Sequence, residues 1–324
     1  MTGAGAGNEA DGANGAGRPG ESVGIAVAAG MLKGVYGHGV LSAFEERGLR
    51  AQVYGTASSS GLSGGLAAVG LARRTGVDYW LKAAAAASER GMSSVVLDSI
   101  EEYGPALRAG LFQPSAPEFL LATSKVTNAA AARTTQGPEA KALGRQLLRN
   151  VFTGDRSWVQ ENLATVVFSS RALPGGEQPA LTPENYDAVS YASTRMLHAW
   201  KVPAEIDGEA YVDASYTCSC PAREVADRGV SVLVAIGCDP FPLFRDLYAS
   251  EEIRDGSVLG GARVLVIKPD EDLKDLGVDY ATADGEGLVK AYGIGVEAGH
   301  RFADRHPELL GSPAGRSAGQ EGAA

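Results

Sequence analysis

Two short turns near the start of the sequence combine residue types and spacing that suit chemistry. Residues 28–34 (AAGMLKG) form a small, glycine-containing turn, and residues 55–61 (GTASSSG) place three serines in a row. If both turns lie at one edge of a parallel sheet, the first presents backbone N–H groups and the second presents a hydroxyl. This pairing is used by hydrolases that hold a nucleophilic serine on a sharp strand-to-helix elbow.

The elements around these turns are expected to bring them together. Residues 23–28 (VGIAVA) form an apolar run typical of a buried parallel strand, and residues 52–55 predict a second, shorter strand. Helical spacing follows each strand, over 36–47 and 62–71. Right-handed crossovers between such units build a parallel sheet, so the chain is predicted to be an α/β protein.

The pattern of the remaining residues predicts further helices and strands of an α/β protein. Residues 78–150 have mostly helical spacing. Further strands are predicted at 119–122, 164–169, 210–212, 230–237 and 262–267, and a last helix at 287–305. We find no internal repeat or linker, so 21–310 is expected to form one domain. The ends, 1–20 and 311–324, are too poor in apolar residues to offset their ordering entropy, and we predict disordered tails there.

Composition narrows the classes of function. The 324 residues include 39 acidic and 29 basic side chains, a formal net charge of −10, which disfavours nucleic acid as a partner. The three cysteines (Cys218, Cys220 and Cys238) have neither a disulfide-framework spacing nor a zinc-site spacing. Neither a signal peptide nor an apolar run long enough to span a membrane is recognised. These features fit a cytoplasmic protein.

Three sequence blocks carry a resemblance to a known family. Residues 29–49 (AGMLKGVYGHGVLSAFEERGL) are similar to a GGGxKG turn with its following helix, and residues 56–70 (TASSSGLSGGLAAVG) to a G-x-S-x-G elbow. Residues 206–221 (IDGEAYVDASYTCSCP) are similar to a DG[GA] aspartate turn. In this order the blocks resemble the patatin-like phospholipases, which are lipid acyl hydrolases. The resemblance spans most of 22–300 and implies a three-layer fold, with a central, mostly parallel sheet flanked by helices.

The resemblance also implies a mechanism. Ser58 would be the nucleophile, and Asp213 would accept its proton directly, without a histidine, because a serine hydroxyl needs an adjacent base. Backbone N–H groups near Gly30 and Met31 would stabilise the oxyanion. The family implies an acyl ester or lipid substrate, leaves room for transient contact with a membrane surface, and requires no metal or organic cofactor.

Two further residues of the first turn are expected to support the oxyanion site. Lys33 would orient the turn or add positive potential, and Gly34 would allow close packing of the helix that follows. The family's first and third glycines in this turn are replaced here by Ala29 and Met31, and its DG[GA] turn is replaced by residues 213–215 (DAS).

The elbow departs from the family pattern as well, because Thr56 and Ser60 occupy its two glycine positions. Threonine is β-branched and stiff, whereas a tight elbow favours small neighbours. A shift by one residue would make Ser59 the nucleophile, between an alanine and a glycine. The gapless match of the first two blocks favours Ser58.

Several other interpretations stay open at this stage. The serine run alone is typical of a helix N-cap, and Asp213 alone is typical of a turn. An α/β-hydrolase triad of Ser58, an aspartate and His300 has an allowed chain order, but that fold places its nucleophile after more strands. His38 is interpreted as structural or surface-exposed, and neither nucleotide-binding motif is present. A non-catalytic binding or regulatory protein of the same fold, and an acyltransferase using the same dyad, remain alternatives.

Overall fold

The computed structural model describes residues 21–171 and 178–310; the tails predicted at 1–20 and 311–324 lie outside the described residues. Eleven strands are present in the described part: β1 (Val23–Val27), β2 (Val53–Ala57), β3 (Glu118–Val126), β4 (Leu163–Ser169), β5 (Glu205–Ile206), β6 (Glu209–Val212), β7 (Val232–Ile236), β8 (Leu243–Phe244), β9 (Glu252–Ile253), β10 (Val258–Leu259) and β11 (Ala262–Ile267).

Helices connect and cover these strands. The described residues form α1 (Val35–Arg47), α2 (Ser60–Ala68), α3 (Ala72–Thr75), α4 (Asp78–Arg90), α5 (Met92–Leu111), α6 (Ala129–Gln136), α7 (Ala140–Thr153), α8 (Ser157–Asn162), α9 (Tyr186–Thr194), α10 (Ala222–Ala226) and α11 (Gly285–Arg305). Short 3-10 turns occur at Met31–Gly34, Ala214–Tyr216, Leu273–Leu276 and Pro307–Leu309. Among the described residues, no helix is both long and apolar enough to cross a membrane.

The main sheet is mixed, with a parallel centre. Its strand order is β10-β11-β7-β1-β2-β3-β6-β5, with β4 also paired to β3. The pairs β11–β7, β7–β1, β1–β2 and β2–β3 are parallel, whereas the outer pairs are antiparallel. The predicted α/β class, with a mostly parallel central sheet flanked by helices, is therefore confirmed. Strand β3 is longer than expected and is the strand at which the parallel centre gives way to antiparallel neighbours.

Alternating side chains of the central strands pack on opposite faces of the sheet. On β7, Val232, Val234 and Ile236 belong to one apolar core, while Leu233 and Ala235 belong to the other. The larger core is covered mainly by α1, α2, α4, α5 and α11, and the smaller core by α10 and the segment before it. Because both faces are buried, the central strands read as continuous apolar runs.

Helix α1, which continues directly from the Met31–Gly34 turn, is held by unusually close packing on α11. A Cβ added at Gly39 would lie 2.3 Å from the backbone oxygen of Tyr292, and one at Gly295 would lie 2.1 Å from that of Tyr36. Only glycine permits this approach of two helix backbones. The packing fixes α1, and thereby the turn at its start, against the rest of the domain.

Candidate active site

The serine elbow forms between β2 and α2. Ser58 has a φ of +54°, in the left-handed region that non-glycine residues rarely adopt, and its side chain is almost fully buried. The Ser58 N–H donates to Ser193 Oγ at 2.8 Å, and Ser193 Oγ–H donates in turn to the Ala122 oxygen at 2.7 Å. Helix α9 thus supplies a side chain that holds the backbone in this strained conformation.

The aspartate follows β6 and faces the elbow. Ser58 Oγ–H donates to Asp213 Oδ2 at 2.8 Å, and the Ser215 N–H donates to Oδ1 at 2.7 Å. The Asp213 N–H is held by the backbone oxygen of Arg195 at 2.9 Å. Burial raises the pKa of Asp213 to about 6, although the hydrogen bonds from Ser215 and Ser58 act in the opposite direction. The carboxylate is therefore a stronger base than an exposed aspartate.

Thr56 and Ser60, at the two positions where the elbow pattern has glycine, are accommodated by specific contacts. A Cβ added at Gly64 would lie 2.3 Å from Thr56 Cγ2, so the missing side chain on α2 makes room for the threonine methyl. Thr56 Oγ1–H donates to the Leu120 oxygen at 3.0 Å. Ser60 Oγ accepts the Ala57 N–H at 2.9 Å and lies 2.8 Å from the oxygen of Val27. The elbow therefore forms without the glycines of the family pattern.

Ser59 connects the elbow to the first turn and has no hydrogen bond to Asp213. Its Oγ accepts the Gly30 N–H at 3.3 Å. Met31, the next residue, has a φ of +46° and begins the 3-10 turn, where the first N–H groups lack partners within the helix. The turn and the elbow are thus in direct contact, and two of the four non-glycine residues with positive φ in the described part lie here.

Lys33 fixes the first turn in place through two ion pairs. Its Nζ lies 2.6 Å from both Asp239 Oδ1 and Asp272 Oδ1, and 4.7 Å from the centre of the Tyr280 ring. Burial opposes the charged form, but the hydrogen bonds and charges of the two aspartates prevail and raise the pKa of Lys33. Because its charge is already paired twice, Lys33 positions the turn. Gly34, the next residue, packs on α4: an added Cβ would lie 2.8 Å from Trp80 Cη2.

Two cavities meet at Ser58, and neither was foreseen from the sequence. The inner cavity, of about 60 Å³, lies among α2, α4, α5 and α9. Its lining is mostly apolar and includes Val95, Val96, Ile100 and Leu107. The residues come from helices far apart in the sequence, so no local pattern reveals them.

The second cavity, here called the outer cleft, opens on the other side of the same serine. It has a volume of about 500 Å³ and is also lined by Gly30 and Met31 of the first turn. Phe152 of α7 and Phe241 stand at this cleft, and both are exposed, by 92% and 62%. Ser58 and Met31 line both cavities, so the elbow lies at their junction.

The histidines take no part in the hydrogen bonding of Ser58 or Asp213. His300 Nε2 lies 3.7 Å from Glu46 Oε2, which leaves the triad considered above unassembled. His38 is buried: its Nδ1 accepts the Trp80 Nε1–H at 2.9 Å, and its Nε2 is 2.9 Å from the Ala72 oxygen. Burial lowers the pKa of His38 to about 4, so the ring is neutral and structural.

Comparison of the chain with known protein families and with curated protein sequences found no significant match. Among the described residues, no group of three histidine, cysteine or acidic side chains is placed to hold a metal ion. The site is therefore judged on its own geometry. Sequence reasoning missed the supports of the first turn, Asp239, Asp272 and Tyr280, because they follow strands β7 and β11 without any recognisable motif.

Proposed function

We propose that the chain is a serine acyl hydrolase of patatin-like fold, which cleaves carboxylic esters of lipids or acylated small molecules with a Ser58–Asp213 dyad. The proposal rests chiefly on one observation. Ser58 Oγ–H donates to a buried carboxylate at 2.8 Å from a strained elbow that opens into two cavities. Simple N-capping does not require a buried aspartate, positive φ or access to a cavity.

The dyad supplies both the nucleophile and the base. Ionised Asp213 accepts the hydroxyl proton as Ser58 Oγ attacks the ester carbonyl, and then donates that proton to the departing alkoxide. Asp213 next takes a proton from water as the water attacks the acyl-enzyme, and returns that proton to Ser58 Oγ as the carboxylic acid leaves. A pKa of about 6 leaves the carboxylate ionised at neutral pH yet basic enough to assist each step.

The first turn is suited to stabilise the tetrahedral oxyanion. The Met31 N–H lies at the start of a 3-10 turn beside the elbow, where the partial positive charge of a helix start favours an anion. The Gly30 N–H donates to Ser59 Oγ at 3.3 Å and would exchange that partner for the oxyanion when one forms. Ser59 and Lys33 hold this turn from two sides. In this proposal Ser59 is a positioning residue, and Ser58 is the nucleophile.

The two cavities suit the two halves of an ester. The inner cavity, enclosed among helices and mostly apolar, would take the acyl chain, because burying methylene groups is favourable at about 0.8 kcal/mol each. The wider outer cleft would take the alcohol part and admit water once the alcohol has left. An acyltransferase with the same dyad would differ only in the acceptor that occupies this cleft.

Labelling with a fluorophosphonate probe tests the proposal directly, because such probes react with activated serines. We expect a single label on Ser58, located by mass spectrometry of the purified protein. The label should be absent from Ser58→Ala and greatly reduced in Asp213→Asn. Ser59→Ala should still be labelled on Ser58, at a lower rate, because the Gly30 turn loses its contact with the elbow.

The same experiment separates the rival interpretations. A label on Ser59 that persists in Ser58→Ala would overturn the assignment of the nucleophile. A folded protein that takes no label would favour the non-catalytic interpretation. Addition of a long-chain alcohol to the ester assay distinguishes hydrolysis, which yields free acid, from acyl transfer, which yields the new ester.

A further inference from the structure

Helix α7 carries a concentrated positive charge in an otherwise acidic protein. Its residues include Lys141, Arg145 and Arg149 and no acidic residue, whereas the whole chain has a net charge of −10. All three side chains are exposed, and none has an ion-pair partner among the described residues. A free basic cluster of this kind attracts anionic surfaces.

Phe152 shares the same side of the helix. At about 100° per residue, positions 141, 145, 149 and 152 fall within a sector of about 80°. The Phe152 ring is 92% exposed, the most exposed large apolar side chain among the described residues. The other side of α7 is buried: Leu147 is 1% exposed, and a Cβ added at Gly144 would lie 2.4 Å from the backbone nitrogen of His198. The helix is therefore firmly seated, with a basic and aromatic face turned outward.

This face adjoins the outer cleft. Leu148, Val151 and Phe152 of α7 line the cleft together with the exposed Phe241. His198 also lines this cleft. Its pKa is lowered mainly by burial and further by the positive charges of Arg145 and Lys141. The positive charge and the two exposed rings thus stand together at the opening that leads to Ser58.

We propose that the outer face of α7 docks the protein on an anionic lipid surface, with Phe152 and Phe241 inserted among the headgroups. Cationic side chains are attracted to anionic headgroups, and aromatic rings lose unfavourable exposure at the interface. An acidic partner protein would also attract the three cationic side chains. The two protruding rings beside an apolar cleft favour a lipid layer instead, because an apolar molecule can pass from that layer into the cleft. This docking does not depend on esterase activity.

Vesicle flotation with the full chain carrying Ser58→Ala tests the docking without consuming lipid. We expect binding to phosphatidylcholine vesicles that contain about 30% phosphatidylglycerol, weakened by salt, and little binding to phosphatidylcholine alone. The triple variant Lys141→Gln, Arg145→Gln, Arg149→Gln should bind about 100-fold more weakly, at about fivefold for each cation. Phe152→Ser should also weaken binding.

Helix α11 provides matched controls. The variant Lys290→Gln, Arg301→Gln, Arg305→Gln removes the same charge from another exposed helix, and Val289→Ser removes an apolar side chain that is 50% exposed. Both should bind as the parent does. Equal loss in the α11 and α7 variants, equal binding by neutral vesicles, or no binding by a folded protein would overturn the proposal. The last result would direct the search to an acidic protein partner.

Discussion

The carboxylate of Asp213 sets the pH range in which the proposed dyad can work. Its pKa is raised to about 6 by burial, and only the ionised form can accept the Ser58 proton. We therefore expect kcat/KM for a soluble ester to rise about tenfold per pH unit below pH 6 and to level off near pH 7. A rate measured from pH 4.5 to 8.5 checks this, and a profile that is flat through pH 6 would exclude Asp213 as the base.

The same residue should cost the fold stability at neutral pH. Its pKa in the folded protein lies above the ordinary value of 3.8, so folding favours the protonated form, and stability falls as pH rises from about 4 through about 6. Asp213→Asn should therefore raise the free energy of unfolding by about 1–3 kcal/mol at pH 7.5 and by little at pH 4. Urea denaturation at both pH values measures the difference, and an equal effect at both would contradict it.

At the scale of elements, β2 and α2 are fitted to each other through Thr56 and Gly64. Gly64→Ala would push a methyl group against Thr56 Cγ2, 2.3 Å away, and should destabilise the protein by about 1–3 kcal/mol. Thr56→Ser removes that methyl but keeps the hydroxyl that bonds Leu120. The double variant should recover most of the loss, which a double-mutant cycle in urea quantifies.

A glycine in open surroundings supplies the control for that cycle. Gly293 of α11 has no neighbour within 4 Å of an added Cβ, so Gly293→Ala should be neutral or slightly stabilising, as alanine is in most helices. If Thr56→Ser fails to restore the stability lost in Gly64→Ala, the methyl group of Thr56 is not the reason that position 64 requires glycine.

The first turn depends on elements far along the chain. Lys33→Met would leave Asp239 and Asp272 without their shared cation and would free the turn that presents the Gly30 and Met31 N–H groups. We expect kcat to fall at least tenfold with little change in KM, as for loss of a group acting only in the transition state. Lys82→Met, which removes an exposed lysine paired with Glu102, should leave kcat unchanged.

The elements that build the site differ in how far the sequence predicts them. Strands β1 and β7 are short, fully apolar and rich in valine and isoleucine, so their existence follows from the residues, with bounds predicted to within one residue for β1 and two residues for β7. The nine residues of β3 were only partly recognised, because Glu118 and Lys125 interrupt its apolar pattern. Strands β4 and β6 were predicted at 164–169 and 210–212, but their antiparallel pairing with β3 could not be inferred, since pairing direction depends on the course of the chain between strands.

The same limit applies within the site. Ser58 and Asp213 were singled out by the resemblance of three sequence blocks to a known family, and the structure brings them together across 155 positions. The compensation of Thr56 by Gly64 was invisible, because a family pattern records missing glycines but not the space that another glycine leaves. Side-chain contacts between different helices and strands are thus the part of the site that could not be predicted from the sequence.

At the scale of the whole molecule, the inner cavity depends on four helices converging over the elbow. Val96 lies on α5, is only half-buried and lines this cavity, so a larger side chain there can be accommodated without disturbing the core. Val96→Phe should shorten the space for an acyl chain. We expect kcat/KM to fall about tenfold or more for long-chain esters and to change little for a butyrate ester, since only the longer chains reach the substituted position.

The neighbouring residue separates a lost acyl site from general damage to α5. Leu97 is 45% exposed and does not line the cavity, so Leu97→Phe adds a ring to the same helix without entering the proposed acyl site. It should leave the chain-length profile unchanged. If both variants lose activity on all esters equally, the helix rather than the cavity is responsible. If Val96→Phe leaves long and short esters unaffected, the acyl chain binds elsewhere, and the outer cleft becomes its site.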